Sequence, residues 1–222
     1  MTRTLLFIGF LFALLWGNPA IGQNPTAVKP GYVFKDGIYQ TLESFQRDQP
    51  QYSMVNVEFS AVVNEEKKVV QVEWIKLKSG DTLTMDSIWG LCWSGRPFIR
   101  IPSDSTRRKL AIFAELKLVG NISLFSYETE VDRWVEIKAY FPQTNIPFRQ
   151  GKVKNVDTVV REKMLRLETG EIAALSKENL TQWVKDRPEF PRAIAELTPE
   201  KTAEFLPRLI KAYNERNPFY LK

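Results

Sequence analysis

Apolar and polar residues alternate strictly over several stretches between residues 55 and 141, and this alternation restricts most of the chain to antiparallel sheet. In the first stretch, apolar side chains from Val55 to Val63 alternate with Asn56, Glu58 and Ser60. The same period returns at Val70, Val72 and Trp74, at Ala114, Leu116 and Leu118, and at Val135, Ile137, Ala139 and Phe141. Successive side chains of a strand point to opposite faces, so this pattern predicts strands with one buried and one solvated face.

Turn, capping and proline residues divide these stretches. Asp36-Gly37 between apolar pairs is typical of a tight hairpin, and Thr41 can cap a short helix over 42–47 that Pro50 ends. Further strands are expected at 88–93 and 98–101, at 122–127 and at 135–141, with a loop marked by Pro142 and Pro147. A last hairpin is expected, with arms 159–167 and 171–175 and Thr169-Gly170 as its turn.

The period becomes helical after residue 175. Ser176 is a good N-cap for a helix over 177–185, a second short helix fits 188–197, and Thr198-Pro199 begins a final helix with an apolar stripe. The sequence therefore predicts an α+β protein. An antiparallel β-sheet or partly open barrel would occupy about 31–175, followed by helices over about 176–216 within a C-terminal segment, 176–222, packed on the sheet.

The first 22 residues have the three parts of a secretory signal peptide. Arg3 gives a positive start, residues 5–16 are an apolar run, and Ala20-Ile21-Gly22 places small residues before a cleavage site between Gly22 and Gln23. The run is shorter than the ~20 residues of a membrane-spanning helix. We therefore expect an exported protein of the periplasm or cell exterior, with a flexible leader over 23–30 and no membrane span after signal removal.

The cysteine and histidine content restricts the chemistry. Cys92 is the single cysteine and lies in an apolar stretch, so we expect it to be buried and the fold to have no internal disulfide. The absence of histidine excludes Ser-His-Asp and Cys-His catalysis and the usual zinc sites. We therefore assign no catalytic, cofactor-binding or metal-binding residue. Lys and Arg are dispersed among nearly as many acids, which indicates a solvated surface and no nucleic-acid partner.

Three short segments together resemble a family of uncharacterised exported proteins common in Bacteroidetes-type bacteria. They are Phe34–Phe45, then Ile88–Cys92 with Leu118–Phe125, and finally Ala212–Pro218. The resemblance covers most of the mature chain and implies an exported, β-rich protein of unknown function. It supplies no catalytic residue.

The same resemblance makes one modification pattern relevant, because secreted proteins of such bacteria are often O-glycosylated at Asp-Ser/Thr followed by a small or apolar residue. Four hydroxyl groups fit this pattern. The candidate O-glycosylation sites are Thr82, Ser87, Ser105 and Thr158.

Three functions remain open from the sequence. The favoured one is a non-enzymatic binding or envelope-associated protein, with Trp89 and Trp93 as candidate surface aromatics for another envelope protein or a glycan. A carboxylate-based hydrolase of the glycosidase type would need two converging acids, for which Glu58, Glu73, Glu115 and Glu136 are candidates. A small-ligand-binding barrel would need an unfilled interior.

The signal-peptide interpretation predicts the first residue of the mature protein. Mass spectrometry of protein purified from its natural host should show a chain that begins at Gln23, because Gly22 provides the small residue that the peptidase requires. A mature chain that retains Arg3 would contradict export by cleavage.

Overall fold

The structure, a computed structural model, describes residues 26–29, 31–102 and 110–222. The predicted signal peptide (1–22), its predicted cleavage site between Gly22 and Gln23, and the candidate O-glycosylation site Ser105 lie outside this range. The strands are β1 (Ala27–Val28), β2 (Gly37–Tyr39), β3 (Tyr52–Ser53), β4 (Val57–Asn64), β5 (Val69–Leu77), β6 (Thr82–Leu83), β7 (Gly90–Trp93), β8 (Arg96–Ile101), β9 (Ala111–Glu115), β10 (Ile122–Tyr140), β11 (Pro147–Arg166), β12 (Ile172–Ala174) and β13 (Phe219–Tyr220). The α-helices are α1 (Leu42–Gln46), α2 (Lys177–Trp183), α3 (Glu189–Ala195) and α4 (Pro199–Arg216).

The largest sheet has eight strands and curls into a half-barrel. Its order is β3-β2-β7-β8-β9-β5-β4, with β6 paired to β5, and its strand pairs are antiparallel. In β2 and β8 both faces of the sheet are buried, because neighbouring residues of one strand enter different cores. Ile38 and Phe98 belong to a cluster on the concave face, with Val70, Val72 and Phe113, which we call the inner core. Tyr39 and Ile99 belong to a cluster on the other face, with Phe34 and Phe45, which we call the central core. The predicted α+β class with a mainly antiparallel sheet is confirmed.

β10 and β11 form the layer beneath the central core. Phe125 and Leu165 pack into the central core, whereas Leu124 and Met164 pack on the opposite side against the helices, in a helical core. Residues 122–126 are consequently buried without interruption. The inner ends of β10 and β11, which we call the root of this strand pair, therefore lie between two hydrophobic cores.

The C-terminal helices cover the outer side of that layer. Leu206, Ile210 and Tyr213 of α4 enter the helical core. The Asn214 side chain then replaces a neighbouring strand, since its Oδ1 accepts from the N–H of Ile122 (2.9 Å) and its Nδ2 donates to the Ile122 carbonyl (2.7 Å). Within the described residues, no helix is both long and apolar enough to cross a membrane.

Gly120 leaves the space that Asn214 needs. A Cβ at residue 120 would overlap the Asn214 amide, so a larger residue would displace this side chain from the strand. Arg216 also pairs with Glu189 (3.0 Å), and Asn217 accepts from Arg187 (3.0 Å). The C-terminal segment that carries part of the family resemblance is thus fixed against the body by these contacts. Packing and hydrogen bonding explain its residues without a catalytic role.

A buried carboxylate organises the N-terminal segment. Asp48 accepts hydrogen bonds from the Tyr32 hydroxyl (2.7 Å), the Tyr39 hydroxyl (2.8 Å) and the N–H of Lys35 (2.9 Å). Burial, followed by the hydrogen bond and repulsion from Asp48, raises the pKa of Tyr32 to about 12. The same causes raise the pKa of Tyr39 well above its usual range.

The short helix α1 begins as the sequence predicts. The Thr41 hydroxyl accepts from the N–H of Ser44 (3.1 Å), and Phe45 enters the central core. Ser176 caps α2 in the same way, through the N–H of Asn179 (3.2 Å). Cys92 is buried and free, as expected, and burial raises the pKa of its thiol above its usual range.

The predicted hairpin at Asp36-Gly37 is wrong. Gly37 is the first residue of β2, which pairs with β3 and with the distant β7. A Cβ at Gly37 would come within 2.5 Å of the Tyr52 carbonyl oxygen, so glycine is needed for close strand approach rather than for a turn. Asp36 instead accepts from the N–H of Gly95 (2.7 Å).

Two alternations also differ from the prediction. Val55 is exposed in a single 3-10 turn and is outside β4. Ser60 of β4 pairs with Trp74 of β5, and the next residue of β4, Ala61, pairs with Val72. Glu73 of β5 therefore has no partner on β4 and forms a β-bulge. This bulge leaves Trp74 half-buried and turns Ile75 into the inner core.

Two residues of the predicted flexible leader form a strand. Ala27 and Val28 pair with Tyr220 and Phe219, and Val28 is buried in the central core. The remainder of the segment before Thr26, together with residue 30, lies outside the described residues.

The tyrosines around Asp48 predict a loss of stability in alkali. Their raised pKa values mean that the folded state favours neutral phenols, so this stability is present below about pH 10 and is lost as the pH rises through about 12. Urea unfolding should show a free energy of unfolding that falls steeply above about pH 10. Tyr39→Phe should lower it at neutral pH by roughly 1–3 kcal/mol and reduce the alkaline loss. Tyr52→Phe, outside this network, should keep the wild-type pH dependence.

Candidate functional site

The outer part of the β10–β11 pair continues beyond the body as a two-stranded ribbon. We call residues 129–160 the β-arm; it comprises the outer halves of both strands and the connecting tip, 141–146. The register runs without interruption from Thr129 opposite Val159 to Ala139 opposite Arg149. At about 3.3 Å per residue, the ribbon is on the order of 40 Å long.

The β-arm has two open edges within the described residues. β12 pairs with β11 only at Lys163–Leu165, and the ladder of β10 beyond Thr129 is formed with β11 alone. An open strand edge presents backbone N–H and C=O groups that a further strand can pair with. A two-stranded ribbon also has little independent stability in water. The β-arm therefore depends on its root for its shape and offers its edges to a partner.

Large apolar side chains are exposed on both faces of the β-arm. On one face, Val135 lies opposite Val153 and is followed by Ile137, whose side chain is 50% exposed. On the other face, Trp134 is 65% exposed and Val160 is 63% exposed. None of these five positions belongs to the three cores of the body. The body therefore does not explain their apolar character.

Two ion pairs connect the strands of the β-arm. Lys154 pairs with Asp132 (2.6 Å), and Arg133 pairs with Asp157 (3.5 Å). Solvent-exposed pairs of this kind contribute little stability. Asn155 also donates to Asp157 (2.9 Å).

The aromatic residues singled out from the sequence are not the most exposed ones. Trp89 is half-buried against Phe45, with ring centroids 4.9 Å apart, and Trp93 is half-buried against Phe59 at 5.4 Å. Trp134, which the sequence analysis did not select, is the tryptophan that is mainly exposed among the described residues. The sequence feature that could have identified Trp134 is the pair Trp134-Val135. Two adjacent large apolar residues of a strand point to opposite faces and cannot both face one core.

The three candidate glycosylation sites within the described residues are all exposed. Thr82 lies in β6, and Ser87 lies in a 3-10 turn, where its hydroxyl donates to the Thr84 carbonyl (2.7 Å). Thr158 lies in the β-arm opposite Glu130. Their accessibility is compatible with modification, which stays a prediction.

The four candidate hydrolase acids lie on four different strands. Glu58 and Glu136 are exposed, Glu73 accepts from the Ser60 hydroxyl (3.1 Å), and Glu115 faces Arg96 (3.5 Å). Oε2 of Glu115 is buried and has no hydrogen-bond partner among the described residues. Across the same residues, no group of three or more Asp, Glu or Cys side chains could hold a metal ion.

The interior that a ligand-binding barrel would need is occupied by side chains. Val70, Val72, Phe98 and Phe113 are buried in the inner core of the curled sheet. This face of the sheet is therefore packed.

Comparison with known proteins gives no match to this chain among protein-family models, curated proteins or solved structures. The function must consequently be inferred from the residues and geometry of the protein itself.

The packing predicts that the β-arm can be removed without unfolding the body. Replacement of residues 132–156 by Asn-Gly joins Val131 to its partner Asp157 through a tight turn. Thermal unfolding should keep its midpoint within about 3 °C of wild type, since the deleted side chains are outside the cores.

Leu165→Ala is the matched change at the root. Leu165 is fully buried in the central core, so its truncation should cost about 2–5 kcal/mol and lower the midpoint markedly. A body that unfolds on arm removal but tolerates Leu165→Ala would contradict this division of the strand pair.

Proposed function

We propose that this chain is an exported, non-enzymatic binding protein that docks on another envelope protein through its β-arm. The observation that carries the proposal is the exposure of large apolar side chains on both faces of a ribbon whose two edges are open. Burial of such side chains against a partner is favourable by roughly 25 cal/mol per Å² of apolar surface.

The composition of the β-arm fits a protein partner better than a glycan. Glycan recognition uses aromatic platforms, whereas most exposed apolar side chains of the β-arm are aliphatic. The aliphatic ones are Val135, Ile137, Ile146, Val153, Val156 and Val160, beside the aromatic Trp134, Tyr140 and Phe141. Main-chain groups along an open edge can pair with an extended segment of a partner, while alternate side chains enter pockets of that partner. Trp134 is a suitable central anchor, because tryptophan is enriched among the residues that dominate interface energies.

The anchoring of the β-arm supports a docking role. Its strands continue into a root that is buried on both sides, at Phe125 and Leu165 on one face and Leu124 and Met164 on the other. A surface that is held in one conformation before binding loses less entropy when the complex forms. Export and envelope location rest on the signal-peptide pattern of residues 1–22.

Site-specific photo-crosslinking in the natural host tests the proposal. A photoreactive residue at Trp134 should give one discrete adduct with another envelope protein, because this side chain would lie at the centre of the interface. The matched control is Val62, which is similarly exposed at 63% but lies on β4 in the body, and it should give no such adduct.

The Trp134 adduct also has to depend on the surrounding apolar surface. With the photoreactive group kept at Trp134, the double substitution Val135→Ser and Ile137→Ser should reduce the adduct at least tenfold, whereas Val62→Ser should leave it unchanged. Equal adducts at positions 134 and 62, an adduct only with a second copy of the chain, or an adduct only with glycan would overturn the proposal.

A further inference from the structure

The far end of the β-arm exposes large apolar side chains. Tyr140, Phe141 and Ile146, which we call the apolar tip residues, are exposed and belong to none of the three cores. They lie within residues 139–148, a stretch without a charged side chain. Tyr140 is six residues beyond Trp134 on the same strand, roughly 20 Å away. The apolar tip residues are therefore separate from the surface proposed for the protein partner.

The backbone of the tip has few N–H groups that still require a partner. The N–H of Phe141 donates to the Ile146 carbonyl (3.0 Å), and the N–H of Asn145 donates to the Phe141 carbonyl (2.9 Å). Pro142 and Pro147 have no N–H to donate. An unpaired N–H is costly to move away from water, so this backbone is suited to contact with an apolar medium.

Cationic side chains flank the tip on both faces of the ribbon. Lys138 lies opposite Gln150, and Arg149 lies opposite Ala139. Since successive side chains of a strand point to opposite faces, Lys138 and Arg149 lie on different faces. Lys152 shares the Lys138 face, because it is two residues from Gln150 on β11. We call these three side chains the flanking cations.

The charge of the flanking cations is not balanced by the protein. Residues 137–152 contain the flanking cations and no acid. Within the part of the chain that the structure describes, no ion pair involves Lys138, Arg149 or Lys152. The outer end of the β-arm therefore combines an uncharged apolar tip with a net positive charge just behind it.

We propose that this end of the β-arm binds the surface of an anionic phospholipid bilayer. The apolar tip residues enter the interfacial layer, and the flanking cations lie beside the lipid phosphate groups. Buried apolar area and attraction to anionic lipids together produce peripheral membrane binding, which needs no membrane-spanning segment. Tyrosine is also enriched at membrane–water interfaces.

The shape and charge of this end favour a bilayer over other occupants. A bilayer can surround a projecting end on both faces at once, whereas a flat protein surface covers one face. A second copy of the same end would bring like charges together, which is unfavourable. Because Trp134 lies outside the lipid contact, this proposal does not depend on the envelope-protein partner, and the crosslinking result at Trp134 does not decide it.

Cosedimentation of the mature chain with vesicles tests the proposal. The protein should bind vesicles of phosphatidylglycerol mixed with phosphatidylcholine, and should bind vesicles of zwitterionic phosphatidylcholine alone at least tenfold more weakly. Binding to the anionic vesicles should weaken in about 1 M NaCl, which reduces the screening length to about 3 Å. The arm-deleted protein should not bind either vesicle.

Two double variants separate the apolar and ionic contributions. Phe141→Ser with Ile146→Ser should weaken binding to the anionic vesicles about tenfold, because less apolar area enters the interface. Lys138→Gln with Arg149→Gln should weaken it by a similar factor of about ten, because two attractions to anionic lipid are lost.

Each double variant has a matched control on the body. Val55→Ser with Val62→Ser changes two exposed valines, and Lys185→Gln with Lys201→Gln removes two exposed charges. Both controls should bind the anionic vesicles as wild type does. Circular dichroism should show that all four variants are folded, since the changed side chains are outside the cores.

A fluorophore at the tip locates the contact. An environment-sensitive label attached to Ile146→Cys should shift its emission to the blue when anionic vesicles are added, because its surroundings become apolar. The same label at Val62→Cys should not shift. Cys92 does not compete for the label, because its thiol is buried.

Five results would overturn the proposal. These are absence of vesicle binding, equal binding to the zwitterionic vesicles, wild-type binding by either tip variant, vesicle binding without an emission shift at position 146, and an emission shift that rises with protein concentration in the absence of vesicles. The last result would assign the tip to a second copy of the chain.

Discussion

Burial of the β10–β11 root on both faces is the interaction on which the rest of the structure depends. Phe125 and Leu165 complete the central core beneath the curled sheet, and Leu124 and Met164 provide the floor on which the C-terminal helices pack. The same short stretch of strand pair therefore joins two hydrophobic cores. Truncation of one of these side chains removes buried contacts and leaves a cavity, so it affects a layer interface as well as one strand.

This arrangement also explains how a long ribbon can extend from a small body. A hairpin alone has little stability in water, but the β-arm is the continuation of strands whose inner ends are fixed. The hydrogen-bond ladder transmits the register of the buried root to exposed residues such as Trp134. The β-arm can consequently present open edges and apolar side chains in a defined arrangement.

The parts of the fold that local interactions decide could be predicted from the sequence. The alternation indicated antiparallel sheet, and the caps at Thr41 and Ser176 mark the helix starts. Distant pairing decided the rest: Asp36-Gly37 enters a strand because β7 pairs with it, and the extra residue at Glu73 changes which side chains face the inner core. A single sequence does not show either interaction.

The candidate site was harder to predict, because the pattern of a strand does not show what covers its faces. Trp89 and Trp93 lie in strand-like segments with neighbours above them, whereas Trp134 lies in a similar segment that has none of the three cores around it. The sequence divides residues 122–141 into two strands, and the structure makes them one. Because β10 is one continuous strand, its outer half extends from the body as part of the β-arm.

The pairing of β1 with β13 joins two segments that are distant in the sequence. Leu221 donates to the Thr26 carbonyl (2.9 Å), and Lys222 donates to the Gln46 carbonyl (3.0 Å), so segments far apart in the sequence are in contact. Contacts this far apart in sequence close late, because a long loop must be ordered before they form. The Asn214 contact with Ile122 likewise waits for the C-terminal helix. The central core is therefore complete only when residues 26–28 and 219–222 are both in place, so truncation of either segment would leave the other without its strand partner.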